Sequence, residues 1–120
     1  EYEEIILDNI AKANLSNQVE IIIGDAKQII PKMDIHFDFV YLDADKRNYP
    51  EYFDMIMDKL NTGGIFIADN VLWSGKITDD ASKDADVVAL RTFNDKVQND
   101  DRLRNILLPL RDGLMVAEKF

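Results

Sequence analysis

The chain is 120 residues long, about one domain's worth, and its 47% hydrophobic and 31% charged content excludes a disordered polymer. With 14 basic against 23 acidic residues it carries a net charge of −9, which argues against nucleic acid or an anionic membrane surface as the main partner and reads most simply as a solvated acidic surface. There is no cysteine, so disulfides, thiolate metal sites and cysteine nucleophiles are excluded, in keeping with a reducing cytoplasm; no apolar run approaches the roughly 18 residues of a membrane span.

The chain opens on EYEEIILDNIAKANL, with no initiating Met, and reads as a fragment or a chain whose beginning was removed. Tyr2, Ile5, Ile6, Ile10 and Ala13 fall at helical spacing, which predicts an amphipathic helix over residues 1 to about 14. VEIII from Val19 is a β-branched run and predicts a strand, ended by Gly24 and Asp25. AKQII then makes a helical turn or two, closed by Pro31. FDFVYL predicts the next strand. Asn48 can cap the helix after it, with Pro50 tolerated in the first turn, Phe53, Ile56, Met57 and Leu60 keeping the period, and Gly63 and Gly64 as its stop. Met55 and Met57 read as packing residues. IFIAD predicts a third strand, and residues 70 to about 84 read as a loop that could act as a lid. Val87, Leu90, Phe93 or Asn94, and Val97 mark another helix. NILLPL and LMVAE predict two strands joined at Arg111-Asp112-Gly113, with Pro109 confining the first to a sheet edge or a strand end. Strand and helix alternate until this hairpin, the pattern of an α/β domain with a mainly parallel sheet finished by one antiparallel strand. No repeat or linker divides the chain, so residues 1–120 are expected to form one domain.

Three successive predicted strands end in acids: Asp25, Asp43, and Asp69 followed by Asn70. Acids after strands are commonly turn formers and helix caps. In a parallel sheet with right-handed crossovers, however, all strand C-termini lie on one edge, where open α/β sheets bind their ligands. Asp43, Asp69 and Asn70 offer two carboxylates and an amide oxygen. With no cysteine and a lone histidine, His36, which reads as an exposed loop residue, an ion held there would be hard: Mg²⁺, Mn²⁺ or Ca²⁺. Three protein oxygens leave about three octahedral positions for water or substrate. Lys46 reads by itself as a surface ion pair with Asp43 or Asp45. Trp73 reads as partial core packing, or as a wall for a flat aromatic substrate.

FDFVYLDADKRNYPEYF, then GGIFIADNVLWSGKI, then LLPLRDGLMVAEK, preceded by NIAKANLSNQVEIIIGDA, closely resemble the cation-dependent class I O-methyltransferases of the caffeoyl-CoA and catechol type, in order and spacing over essentially the whole chain. The resemblance implies a Rossmann-like sheet that binds S-adenosylmethionine, with strand order 3-2-1-4-5-7-6 and the last strand antiparallel. It implies metal ligation by Asp43, Asp69 and Asn70 and a general-base role for Lys46. It implies cofactor contacts for Asp25, Ala26, Asp43 and Asp45, with Asp25 and Ala26 bordering the adenine and Asp45 near the amino-acid end. It further implies a small aromatic vicinal diol as acceptor and a homodimer, as is common among its members. The glycine-rich cofactor loop after the family's first strand and the ribose-binding acid after its second have no counterpart here. The glycines at 24, 63, 64, 75 and 113 make no G-x-G. The chain is therefore expected to lack the first two strands, to leave a gap in the sheet, and to be weakly active or inactive alone.

Two rival readings come from other classes. D-A-D after a strand resembles the D-x-D of haloacid-dehalogenase-like, Mg²⁺-dependent phosphatases, but Arg47 or Asn48 stands where those carry Thr or Val. A truncated, non-catalytic binding or dimerising module is favoured by the absent cofactor loop and disfavoured by the complete set of metal and base residues.

Overall fold

The computed structural model describes residues 2–120. Helix α1 spans Tyr2–Lys12, with Glu3 and Glu4 in its first turn and Lys12 in its last, each on the favourable end of the helix dipole. It ends at Asn14, whose φ of +57° lets the Leu15 N–H turn back to the Ile10 carbonyl at 3.0 Å. Its apolar residues find no cover: Tyr2, Ile5, Ile6 and Leu7 are all exposed.

The strand expected at VEIII does not form. Residues 19–23 belong to no ladder, and Val19, Ile22 and Ile23 are exposed. A strand exists only where a neighbour accepts its N–H groups, and no strand lies beside this segment among the described residues. The short helix α2, Ala26–Ile29, follows, capped by the Asp25 carboxylate on the Lys27 N–H, and passes through Pro31 into a 3-10 turn.

Strand β1, Phe37–Leu42, runs parallel to β2, Leu60–Asp69, and β4, Leu114–Lys119, pairs antiparallel with β2 and with β3, Leu103–Leu108. The order is β1-β2-β4-β3, so only β4 runs against the rest. These are the last four places of the order that the resemblance implies. Strand β3 lies at the sheet edge, with Pro109 one residue past its end, as its lost N–H requires. Five residues, 109–113, join β3 to β4, a wider turn than Arg-Asp-Gly alone.

Helices α3, Tyr49–Lys59, and α4, Ala85–Gln98, cover one face of the sheet. Tyr49, Phe53, Phe66 and Phe93 meet there edge to face, with centroids 5.3–6.5 Å apart. Ile56, Met57, Leu90, Val97, Met115 and Ala117 complete the core, and Met55 packs on its margin. Helix α3 ends earlier than Gly63 and Gly64 suggest, because Leu60 already turns extended, with ψ at 128°. The glycines lie inside β2, where Phe37 pairs with Leu60 but Phe39 with Ile65. The slack is a bulge: Gly63 takes φ +80°, and a Cβ on Gly64 would sit 2.7 Å from the Asn61 carbonyl oxygen. No helix among the described residues is long and apolar enough to cross a membrane.

Candidate active site

The pairing of Leu42 with Ala68 makes Asp43 and Asp69 the next residues out of two adjacent parallel strands, and such strands run about 4.8 Å apart. Two carboxylates from distant parts of the sequence therefore stand side by side. Asp69 is held by its surroundings: its Oδ1 accepts the Asn70 N–H at 2.7 Å and its Oδ2 accepts the Tyr41 hydroxyl at 2.8 Å. That hydrogen bond is the first cause of the Tyr41 pKa lying above its ordinary value, and the nearby Asp69 and Asp43 charges add to it. Asn70 adopts φ +62°, a left-handed turn that asparagine tolerates better than most residues and that starts the chain away from the sheet.

After Asp43 the chain bends into a 3-10 turn, Lys46–Asn48, and then α3. In a 3-10 turn residues i and i+3 eclipse one another, which brings Lys46 onto Tyr49. Lys46 Nζ donates to the Tyr49 hydroxyl at 2.6 Å and to Asp43 Oδ1 at 3.2 Å. Tyr49 in turn donates to the Asp69 carbonyl at 2.9 Å, with the Leu42 carbonyl at 3.3 Å. Lys46 is only 7% exposed and is the one buried charged residue among those described, so the surface ion pair that the sequence suggests is instead a buried amine leaning on an exposed carboxylate. Lysine is rarely buried without a partner. Burial, joined by the charges of Asp43, Asp69 and Asp45, pushes the Tyr49 pKa well above the phenol range, so the hydroxyl stays protonated.

Asp45 faces a different neighbour. Its two oxygens accept from Asn48 Nδ2 at 2.6 Å and from the Tyr52 hydroxyl at 2.9 Å. Asn48 thus stands at the start of α3 without capping it through its side chain. Its Oδ1 accepts from Lys27 Nζ at 3.2 Å, which ties α2 to this turn. The loop after β1 and the Asp25–Ala26 corner are thereby neighbours, and the Asp25 charge reaches Tyr52. Trp73 is half-buried against the core margin with its ring centroid 5.9 Å from Lys46 Nζ, so it is both a packing residue and a wall beside the amine. His36 is exposed.

The segment expected as a loop over 70–84 contains 3-10 turns at Trp73–Thr78, broken by left-handed Ser74 and Gly75. It is tied down at both ends. Val71 and Leu72 N–H donate to the Gly113 and Asp112 carbonyls at 3.2 and 2.9 Å, and the Ser74 N–H donates to the Asp112 carboxylate. Arg91 of α4 donates to the Ile77 carbonyl at 3.0 Å and also to that of Asp79.

Among the described residues no three His, Asp or Glu side chains gather to hold an ion. A cation here would rely on two carboxylates and the Asn70 amide, an all-oxygen donor set that suits a hard divalent ion with open positions. The sequence singled out Asp43, Asp69, Asn70 and Lys46, which the fold brings to one strand-end edge, with Asp45, Asp25 and Ala26 along the same rim. It did not single out Tyr41, Tyr49, Tyr52 or Asp112; the i, i+3 spacing of Lys46 and Tyr49 was the available signal.

A family model described as O-methyltransferase matches residues 1–120. The chain is 33% identical to "Probable caffeoyl-CoA O-methyltransferase 2" of Dictyostelium discoideum, over 99% of this chain and 54% of that protein. It is 38% identical to a catechol O-methyltransferase of Niastella koreensis, over 72% of this chain and 41% of that protein. The crystal structure of an O-methyltransferase from Bacillus cereus in complex with SAH superposes with a TM-score of 0.86 at 31% identity, over 98% of this chain and 57% of the other. The chain thus spans about half the length of the curated relatives it matches.

Proposed function

The chain belongs to the O-methyltransferase family, and from that premise we propose that the intact enzyme moves a methyl group from S-adenosylmethionine to one hydroxyl of an aromatic vicinal diol, catechol- or caffeoyl-like, with a divalent cation. The observation that carries this reading is the adjacency of Asp43 and Asp69 at paired strand ends, with the buried amine of Lys46 against Asp43.

Asp43, Asp69 and Asn70 would hold the cation. When bound, it would supply a Lewis acid that favours the ionised form of a phenol whose ordinary pKa is near 10. Lys46, in its neutral amine form, accepts the phenolic proton on its Nζ lone pair. The methyl carbon then gains a bond to oxygen as its bond to sulfur breaks, leaving a thioether, and no covalent enzyme intermediate is needed. Trp73 walls the flat ring beside Lys46. Asp25 and Ala26 would border the adenine and Asp45 would lie near the amino-acid end of the cofactor, with Asp43 also in contact with it. The glycine-rich loop would come from a segment outside these 120 residues, and a reducing cytoplasm fits a chain without cysteine.

Asp43→Ala should abolish divalent-ion-dependent methylation of catechol in the intact enzyme, measured with a radiolabelled methyl donor. Full activity in that variant, or activity indifferent to chelator, would sink the metal assignment. Calorimetric titration of S-adenosylhomocysteine into the 120-residue chain, with and without Mg²⁺, tests how much of the cofactor site these residues hold alone. The non-catalytic pairing module remains the second reading, favoured by the unpaired outer edge of β1.

A further inference from the structure

We propose that Tyr49 is the positioning residue for Lys46, fixing its amine through a hydrogen-bond relay that begins on the backbone of the strand ends; this rests on the reading of Lys46 as proton acceptor. Tyr49 is fully buried, and its single hydroxyl serves three partners. Its proton goes to the Asp69 carbonyl, shared with that of Leu42, and its lone pair accepts Lys46 at 2.6 Å. Both carbonyls belong to paired residues at the ends of β1 and β2, Leu42 facing Ala68 and Asp69 facing Leu114. The ring is itself locked edge to face on Phe93, 5.3 Å between centroids. The anchor is therefore rigid, whereas the other partner of Lys46, Asp43, has a side chain 58% exposed and a longer contact of 3.2 Å.

That difference decides where the amine stands. A carboxylate that turns to ligate a cation is a poor fixed point for a lysine with four rotatable bonds. The phenol is not among the groups that would hold the cation, and it is buried and held by two backbone carbonyls. It holds the amine beside the carboxylate while leaving Asp43 free to turn to the ion. Removing the hydroxyl would let Lys46 fall back on Asp43, away from the acceptor, without changing the packed ring.

The test compares Tyr49→Phe, Lys46→Met and the double variant in the intact enzyme, following kcat, KM for the acceptor, and Mn²⁺ affinity by electron paramagnetic resonance. Tyr49→Phe is expected to lower kcat roughly 3- to 10-fold, the worth of an ordinary hydrogen bond. KM is expected to stay within about twofold and Mn²⁺ affinity within about threefold, because the removed group touches neither acceptor nor ion. In the Lys46→Met background the same change should cost nothing further, since residues that act as a unit are not additive. A wild-type kcat in Tyr49→Phe, an equal loss on both backgrounds, or a collapse of Mn²⁺ affinity would overturn the proposal. Full activity of Lys46→Met would instead strike the base assignment itself and take the relay with it. If Tyr49→Phe does not fold, nuclear Overhauser contacts between the Tyr49 ring and the Lys46 ε-methylene in the unaltered protein decide, and their absence overturns the relay.

Discussion

Lys46 and Asp45 lie one residue apart, and folding treats them in opposite ways. The amine goes inward to Tyr49, while the carboxylate stays at the rim and gathers Asn48 and Tyr52. The acids and the lysine were legible because strand ends and charges share one short motif. The burial of Lys46 was not, because Tyr49 and Trp73 create it from positions that sequence reading counts as packing. The Tyr52–Asp45 bond gives a test in the pH dimension. Burial, then the hydrogen bond to Asp45 and its charge, push the Tyr52 pKa up to about 12. A group whose proton is held more tightly in the folded state stabilises that state while protonated. The contribution is full below the ordinary tyrosine pKa near 10 and is lost as pH rises through about 12. Native protein should therefore exceed Tyr52→Phe by about 1–2 kcal/mol near neutral pH, and that margin should close between about pH 10 and 12. Thermal midpoints by circular dichroism at both ends of that range check it; a margin that does not change with pH would show that the folded state does not hold the Tyr52 proton more tightly.

At the scale of elements, the β3–β4 turn acts on a loop that lies 40 residues earlier in the chain. Its Gly113 carbonyl, Asp112 carbonyl and Asp112 carboxylate receive the N–H groups of Val71, Leu72 and Ser74, which flank Trp73 on both sides. Gly113 sits at φ +85°, and a Cβ there would lie 2.5 Å from Leu72 Cγ. Gly113→Ala should cost roughly 1–3 kcal/mol for the left-handed backbone alone and push Leu72 outward. Trp73 is the only tryptophan of the chain, so its emission reports the displacement directly. The expectation is a lowered thermal midpoint together with a red-shifted emission. Gly75→Ala, left-handed but facing open space, should leave the emission maximum closer to native. An unchanged emission in Gly113→Ala would dismiss the brace. The turn itself was legible from Arg-Asp-Gly, but its grip on the loop was not, because contact between distant segments leaves no periodic trace. Two other elements misled for opposite reasons. VEIII has strand composition and no partner, whereas Gly63 and Gly64 look like a helix stop and serve as slack in a paired strand.

The whole molecule has one helical layer where a sheet of this kind ordinarily has two. Helices α3 and α4 seal the face that carries Phe66, Ala68, Met115 and Ala117, whereas Phe39, Tyr41, Ile65 and Ile106 stand exposed on the other. A shallow groove lined by Ile65, Ile106 and Val116 crosses that open face. Among the described residues, helix α1 carries an exposed apolar stripe and the outer edge of β1 has no partner strand. The alternation of elements made the α/β class and the closing hairpin legible, and the resemblance supplied the strand order. Which face stays uncovered depends on strands and helices that these residues do not supply, so their periodicity alone gave no sign of it. Exposed apolar area of this extent is a liability in water. The 120-residue chain on its own should therefore self-associate at micromolar concentration in sedimentation velocity runs and enhance the fluorescence of a hydrophobic dye. Ile65→Lys with Ile106→Lys should shift it toward monomer, because both side chains lie on the open face and neither belongs to the sealed core. A stable monomer with full methyl-transfer activity would contradict this account at its root: the open face would need no cover, and the glycine-rich loop would not be required for the cofactor.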